Sequence, residues 1–241
     1  MSPFSSLLQA IDQEIGLREV GLSWARTAPV VAIVPAFGLK ATPTPMRAAM
    51  ALLIGLCVAP ALATSASNDS YVLQLIGSSA RGIPIAIAAA IPMWTATMIG
   101  GIVDSLRGTS DIVNMPSVEG QPSSMGVVQA LLASTIFLGT GGPSRIAMAL
   151  AKASGPEMGF ANAALDLTGG IEIAIAIAGP VIAASLVLEI GAALIARSSS
   201  PTQIHVLLAP LRSFGILAIF ALSFDRIARL LALYSQSHPT P

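Results

Sequence analysis

About six runs of apolar residues, near 21–39, 46–63, 82–103, 125–151, 170–196 and 204–222, dominate the chain, and most approach the ~20 residues that carry a helix across a bilayer. In hydrocarbon no water reaches the backbone. A spanning run of this kind is therefore an α-helix, with its N–H and C=O groups bonded inside the segment. The expected fold is all-α, a multi-helix membrane protein built of kinked helical hairpins. Composition agrees, since hydrophobic residues make up 54% of the 241 and charged residues only 10%, and mean hydropathy is +0.79. Those values lie far from the balance of a soluble domain.

The connections between runs are polar and turn-rich: GLKATPTP, TSASNDS, DSLRGTSDIVNMPSVEGQPSS, KASGPEMGFANAALD and RSSSPTQ. None is a separate soluble domain. The 12 basic and 12 acidic residues cancel and are spread thinly, with no polybasic arm to favour nucleic acid. Cys57 is the only cysteine, so no intrachain disulfide forms. Residues 1–20 have no basic n-region and carry Asp12, Glu14 and Glu19, unlike a cleaved signal peptide.

Pro29, Pro35, Pro60, Pro84, Pro92, Pro180 and Pro210 fall in or near the apolar runs. An interior proline removes a helix hydrogen bond, and in lipid the freed carbonyl needs another partner. Helices of that kind pack on protein or line a wet cavity. The fourth run is interrupted: MGVVQALLASTIFL is followed by GTGGPSR and then IAMALA, and neither piece spans ~30 Å, so a broken helix or hairpin is expected. Ala96 with Gly100, and Ala174 with Ala178, have the four-residue spacing of small residues that lets helices approach closely.

No HExxH, GxSxG, P-loop or GxGxxG occurs, and His205 and His238 are not spaced for metal ligation. Enzymatic activity, a metal and a cofactor have no support in the sequence. Arg26, Arg47, Glu172 and Glu189 lie near apolar runs, where snorkelling to the interface is the expected fate. Glu172 and Glu189 are about 25 Å apart along a helix and bracket the fifth run rather than share a site. Arg212 is different, because it sits inside the apolar run HVLLAPLRSFGILAIFALSF, where a charge needs a protein partner or water. Asp104 and Arg107 share a helix face and can pair, worth about 0.2–0.5 kcal/mol if exposed. Gly108 can supply the left-handed residue that ends that helix.

Taken in order, ARTAPVVAIVPAFG, PMRAAMAL, GGIVDSLRGTSDIVNMPSVEGQPSSMG, FLGTGGPSR and SPTQIHVLLAPLRS resemble the FliR/SctT family of flagellar and virulence-type type III export components. The resemblance runs from about Glu14 to Leu231. Its Asp-x-x-Arg-Gly element, with the following proline and glycine, matches Asp104, Arg107, Gly108, Pro116 and Gly120. Its closing element matches Pro201, Gln203, His205, Pro210, Arg212 and Ser213. These eleven positions are candidates for assembly or structure, not catalysis. Thr202 is inserted between Pro201 and Gln203, His205 replaces the usual asparagine, and Arg81 stands where the family tends to have an acid. FLGTGGPSR and IVDSLRG look more like the virulence-type branch.

The resemblance implies one export-gate domain over the chain in the bacterial inner membrane. Residues from about 14 to 160 would resemble one smaller gate subunit, and about 165 to 235 would form a hairpin resembling another. Implied partners are other export-gate membrane subunits, the cytoplasmic export machinery, membrane lipid and the unfolded substrates of a helical channel. The competing class is a stand-alone secondary transporter, which would show an inverted repeat and a convergent polar site at mid-depth. Neither is found.

Overall fold

The computed structural model describes residues 16–37, 43–62, 70–108, 123–152, 160–198 and 204–237. They form seven helices among the described residues: α1 (Leu17–Ile33), α2 (Thr44–Leu62), α3 (Tyr71–Arg107), α4 (Ser124–Gly139), α5 (Gly142–Lys152), α6 (Phe160–Ser198) and α7 (Ile204–Ser237). The all-α expectation holds.

Local chemistry sets the ends. α1 stops where Val34 turns extended, at φ −75° and ψ 115°, the conformation forced on a residue that precedes proline, here Pro35. α3 stops at Arg107, and Gly108 takes φ 74° while donating to the Ser105 carbonyl at 3.1 Å, as in a left-handed C-cap. Between α4 and α5, Gly141 has φ 76° and the two helix axes bend by 66°. The interruption read from GTGG is therefore a sharp corner. Other prolines do not end their helices: α3 continues through Pro84 and Pro92, α6 through Pro180 and α7 through Pro210.

Three of the described helices, α2, α3 and α6, are long and apolar enough to cross a membrane, or four spans if the bent α4–α5 pair counts as one. The first apolar run differs from expectation. α1 has 17 residues, about 25 Å at 1.5 Å per residue, short of the ~30 Å of hydrocarbon.

The chain divides into two compact units. The first holds α1, α2, the start of α3 to Ile91, and residues 137–167, which include α5. There α1 packs on α2 and α2 on α5. Thr27 donates through Oγ1 to the Ala51 carbonyl at 2.7 Å, and Trp24 through Nε1 to the Ala48 carbonyl at 3.2 Å, so two side chains of α1 are tied to the backbone of α2. Val30, Val31, Val34, Ile85, Ile146 and Leu150 form its buried apolar core, and Phe37 meets Phe137 edge to face at 6.0 Å.

The second unit holds α3 from Pro92, α4 to Ile136, α6 from Thr168, and α7. Small residues line its contacts: Ala96, Ala174 and Ala178 are buried, and a Cβ placed on Gly100 would overlap the backbone of Met125 and Gly126. Thr95 ties α3 to α6 by donating to the Gly170 carbonyl at 3.2 Å. Gly215 of α7 lies against the Leu188 side chain of α6, where an added Cβ would come within 3.0 Å of a leucine methyl.

Candidate functional site

Asp104, Arg107, Glu189, Arg212 and Ser213, singled out or weighed in the sequence, all lie in the second unit. Asp104 is on the last turns of α3 and is 2% exposed. Its Oδ1 accepts from Arg107 Nη1 at 2.9 Å, as the three-residue spacing on a helix allows. Its Oδ2 accepts from the backbone N–H of Met125 at 2.7 Å. Met125 lies in the first turn of α4, whose leading N–H groups have no partner within the helix. Ser123 serves the next one, its Oγ accepting from Gly126 N at 3.3 Å.

A carboxylate is the right group here, because it is an acceptor with two oxygens and carries the charge that a helix N-terminus favours. The burial of Asp104 changes its energetics. The sequence expectation of a few tenths of a kcal/mol applies to an exposed pair, whereas breaking a buried one costs about 3–5 kcal/mol.

Arg107 extends the network, since its Nε donates to Ser213 Oγ on α7 at 3.2 Å. One carboxylate and one guanidinium thus join the end of α3, the start of α4 and the early part of α7. The next residue, Arg212, pairs through Nη2 with Glu189 Oε1 of α6. Arg212 does find an acid, and that acid belongs to its own chain. Glu189 is therefore not simply a snorkelling side chain that brackets a run. Their side chains are 36% and 44% exposed, so this pair is worth about 0–1 kcal/mol in water.

Of the other sequence candidates, Pro210 is in α7 and exposed, and Gly108 caps α3. His205 is in the first turn of α7, with its side chain outside the description. Pro116, Gly120, Pro201 and Gln203 lie outside the described residues.

Two features were not read from the sequence. The Met125 N–H is a backbone group and leaves no residue-type signal. Arg26 was expected to snorkel but is 3% exposed. Its Nη1 donates at 3.1 Å to the Leu150 carbonyl, two residues before the end of α5, where a helix carries partial negative charge. That helix end gives the guanidinium a reason to be buried in the first unit.

Residues 17–236 match the family described as Bacterial export proteins, family 1. The chain is 25% identical over 223 residues to the flagellar biosynthetic protein FliR of Caulobacter vibrioides, covering 86% of this chain and 88% of that protein. It is 28% identical over 185 residues to Yop proteins translocation protein T of Yersinia pestis and of Yersinia pseudotuberculosis, covering 70% of this chain and 70% of each relative. The flagellar and Yop relatives match at nearly equal identity, so the comparisons do not favour the virulence-type branch. Nothing among them points to a secondary transporter.

Proposed function

Because the chain belongs to family 1 of the bacterial export proteins, and is thereby a multi-pass inner-membrane component of a type III export apparatus, we propose that it works by assembly rather than by catalysis. It joins smaller related membrane subunits in a helical channel, and unfolded protein passes through that channel. The chain serves as one gate domain, its first part and its closing α6–α7 hairpin each standing for one of those relatives. Asp104, Arg107, Gly108, Arg212 and Ser213 shape the surfaces that pack, with Pro116, Gly120, Pro201, Gln203, His205 and Pro210 in the segments beside them.

The observation that carries this reading is the node of Asp104, Arg107, Met125 N–H and Ser213. It ties the end of α3, the start of α4 and the early part of α7 to one another, as suits a brace. Support also comes from α6 and α7, which leave Val187 69%, Phe214 71% and Leu222 86% exposed. Apolar area of that extent needs lipid or another subunit over it.

The test is purification from native membranes under mild detergent. A discrete complex containing several small helical subunits is expected, together with loss of both complex and reporter secretion on Arg107→Ala. A lone monomer or dimer that keeps its function would favour the transporter class instead.

A further inference from the structure

One face of the first unit is open, apolar and already shaped. Between α1 and α2 runs a groove of about 480 Å³, walled by Leu17, Val20, Gly21 and Trp24 on α1 and by Ala49 and Leu52 on α2. Leu17, Trp24, Ala49 and Leu52 are exposed, while the bond from Trp24 Nε1 to the Ala48 carbonyl at 3.2 Å joins the two walls. The groove is thus a fixed feature of this unit, and its walls call for an apolar occupant.

The chain itself supplies a segment of matching pattern at the edge of that groove. Residues 1–15 lie outside the described residues and before the matched family region, which begins at residue 17. In their sequence Phe4, Leu7, Leu8 and Ile11 follow the i, i+3, i+4, i+7 spacing of an amphipathic helix, with Ser5, Ser6, Gln9 and Asp12 set between and after them. Ser2 followed by Pro3 is a start signal for such a helix.

Geometry favours this segment over a separate partner. Gly16 has φ 62°, which no helix continues through, so the chain before it turns off the α1 axis. The next residue, Leu17, is already a wall of the groove. Residues 13–16 form a connection long enough to reverse the chain between antiparallel helices. Phe4 to Ile11 and Leu17 to Trp24 are each seven positions, about 10 Å along a helix, so the anchors match the α1 wall in length. A tether this short holds the segment at an effective concentration on the order of millimolar, against which a free partner has to compete.

We propose that residues 3–12 fold back as an amphipathic helix against α1 and α2, with Phe4, Leu7, Leu8 and Ile11 seated in the groove. This goes beyond the export reading and does not depend on it, because the readouts are contacts within one chain and not secretion.

The experiment uses the full chain in mild detergent, with the subunits that accompany it from native membranes, in a Cys57→Ser background. Leu8→Cys is paired in turn with Ala48→Cys, Ala49→Cys and Leu52→Cys, each pair is oxidised, and disulfides within one chain are measured by mass spectrometry of the linked peptides. The best yield should be several-fold above that of the same pairs made with Gln9→Cys, because position 9 lies on the opposite face of the helix. Separately, hydrogen exchange at amides 48–52 of α2 is compared in wild type, in a chain lacking residues 2–12, in Leu8→Asp and in Gln9→Asp. The deletion and Leu8→Asp should speed exchange there, and Gln9→Asp should leave it unchanged.

Equal linking from positions 8 and 9, or none from either, overturns the docking. Exchange that is unaffected by the deletion overturns it as well, and means that another polypeptide covers the groove. If Leu8→Asp and Gln9→Asp speed exchange alike, the apolar stripe is not what binds and the proposal fails.

Discussion

Gly100 of α3 and Gly126 of α4 meet backbone to backbone, so closely that a Cβ on Gly100 would overlap the Gly126 amide. That approach brings the start of α4 within reach of Asp104, one turn further along α3. Gly100→Ala should therefore destabilise by about 1–3 kcal/mol, as overpacking does, and weaken the cap as the helices separate. Gly101→Ala is the control, because nothing lies within 4 Å of its added methyl. Thermal midpoints of the two variants in the purified complex check this; equal midpoints would rule out the contact.

Asp104 has two jobs, and substitutions separate them. Asp104→Ala removes the acceptor for Met125 N and leaves Arg107 without its carboxylate, at a cost of about 3–5 kcal/mol. Asp104→Asn keeps one acceptor oxygen and should cost less. Exchanging the two charges should restore little, since an arginine at 104 cannot accept from Met125 N–H. Denaturation of all three variants decides the order, and a swap that recovers wild-type stability would show that the cap is unimportant.

For Glu189 and Arg212, a double-mutant cycle with Glu189→Gln and Arg212→Gln should give a coupling of about 0.2–1 kcal/mol in detergent, the range for a half-exposed pair. A larger coupling in the assembled complex than in the isolated chain would mean that assembly dries the pair. No measurable coupling in either state would mean the two side chains do not meet.

Thr27→Val is nearly the same shape and deletes the bond to the Ala51 carbonyl. A loss of about 1 kcal/mol is expected, because Thr27 is fully buried and packing is otherwise kept. Thr27→Ser retains the hydroxyl and should hold the bond at the expense of a methyl contact. Hydrogen exchange at α1 amides reads the difference, and identical protection in wild type and Thr27→Val would refute the link between α1 and α2.

What the sequence revealed was local. The corner at Gly141 could be read because a short apolar run ends in GTGG, and the pairing of Asp104 with Arg107 follows from helical spacing. The cap at Gly108 was legible for the same reason. Contacts between distant residues were not legible: Met125 N–H is 21 positions from Asp104, and Ser213 is 106 from Arg107. In helices that are apolar on nearly every face, periodicity does not tell a core-facing position from a lipid-facing one. That is why Arg26 was expected at an interface, and why Glu189 was weighed against Glu172 on its own helix rather than against Arg212 on the next.

α6 is 39 residues long, but its uncharged stretch between Glu172 and Glu189 covers only about 16 residues, or about 24 Å. A bilayer with ~30 Å of hydrocarbon is too thick for it, and a stretch that is too short is accommodated by thinning the membrane or by snorkelling of the flanking residues. Tilting does not lengthen a stretch that is already too short. Around α6 the membrane is therefore pinched, or Glu189 is drawn below the headgroups with Arg212 neutralising it. In either case α6 is a helix whose charges, not its length, set how thick a bilayer it tolerates.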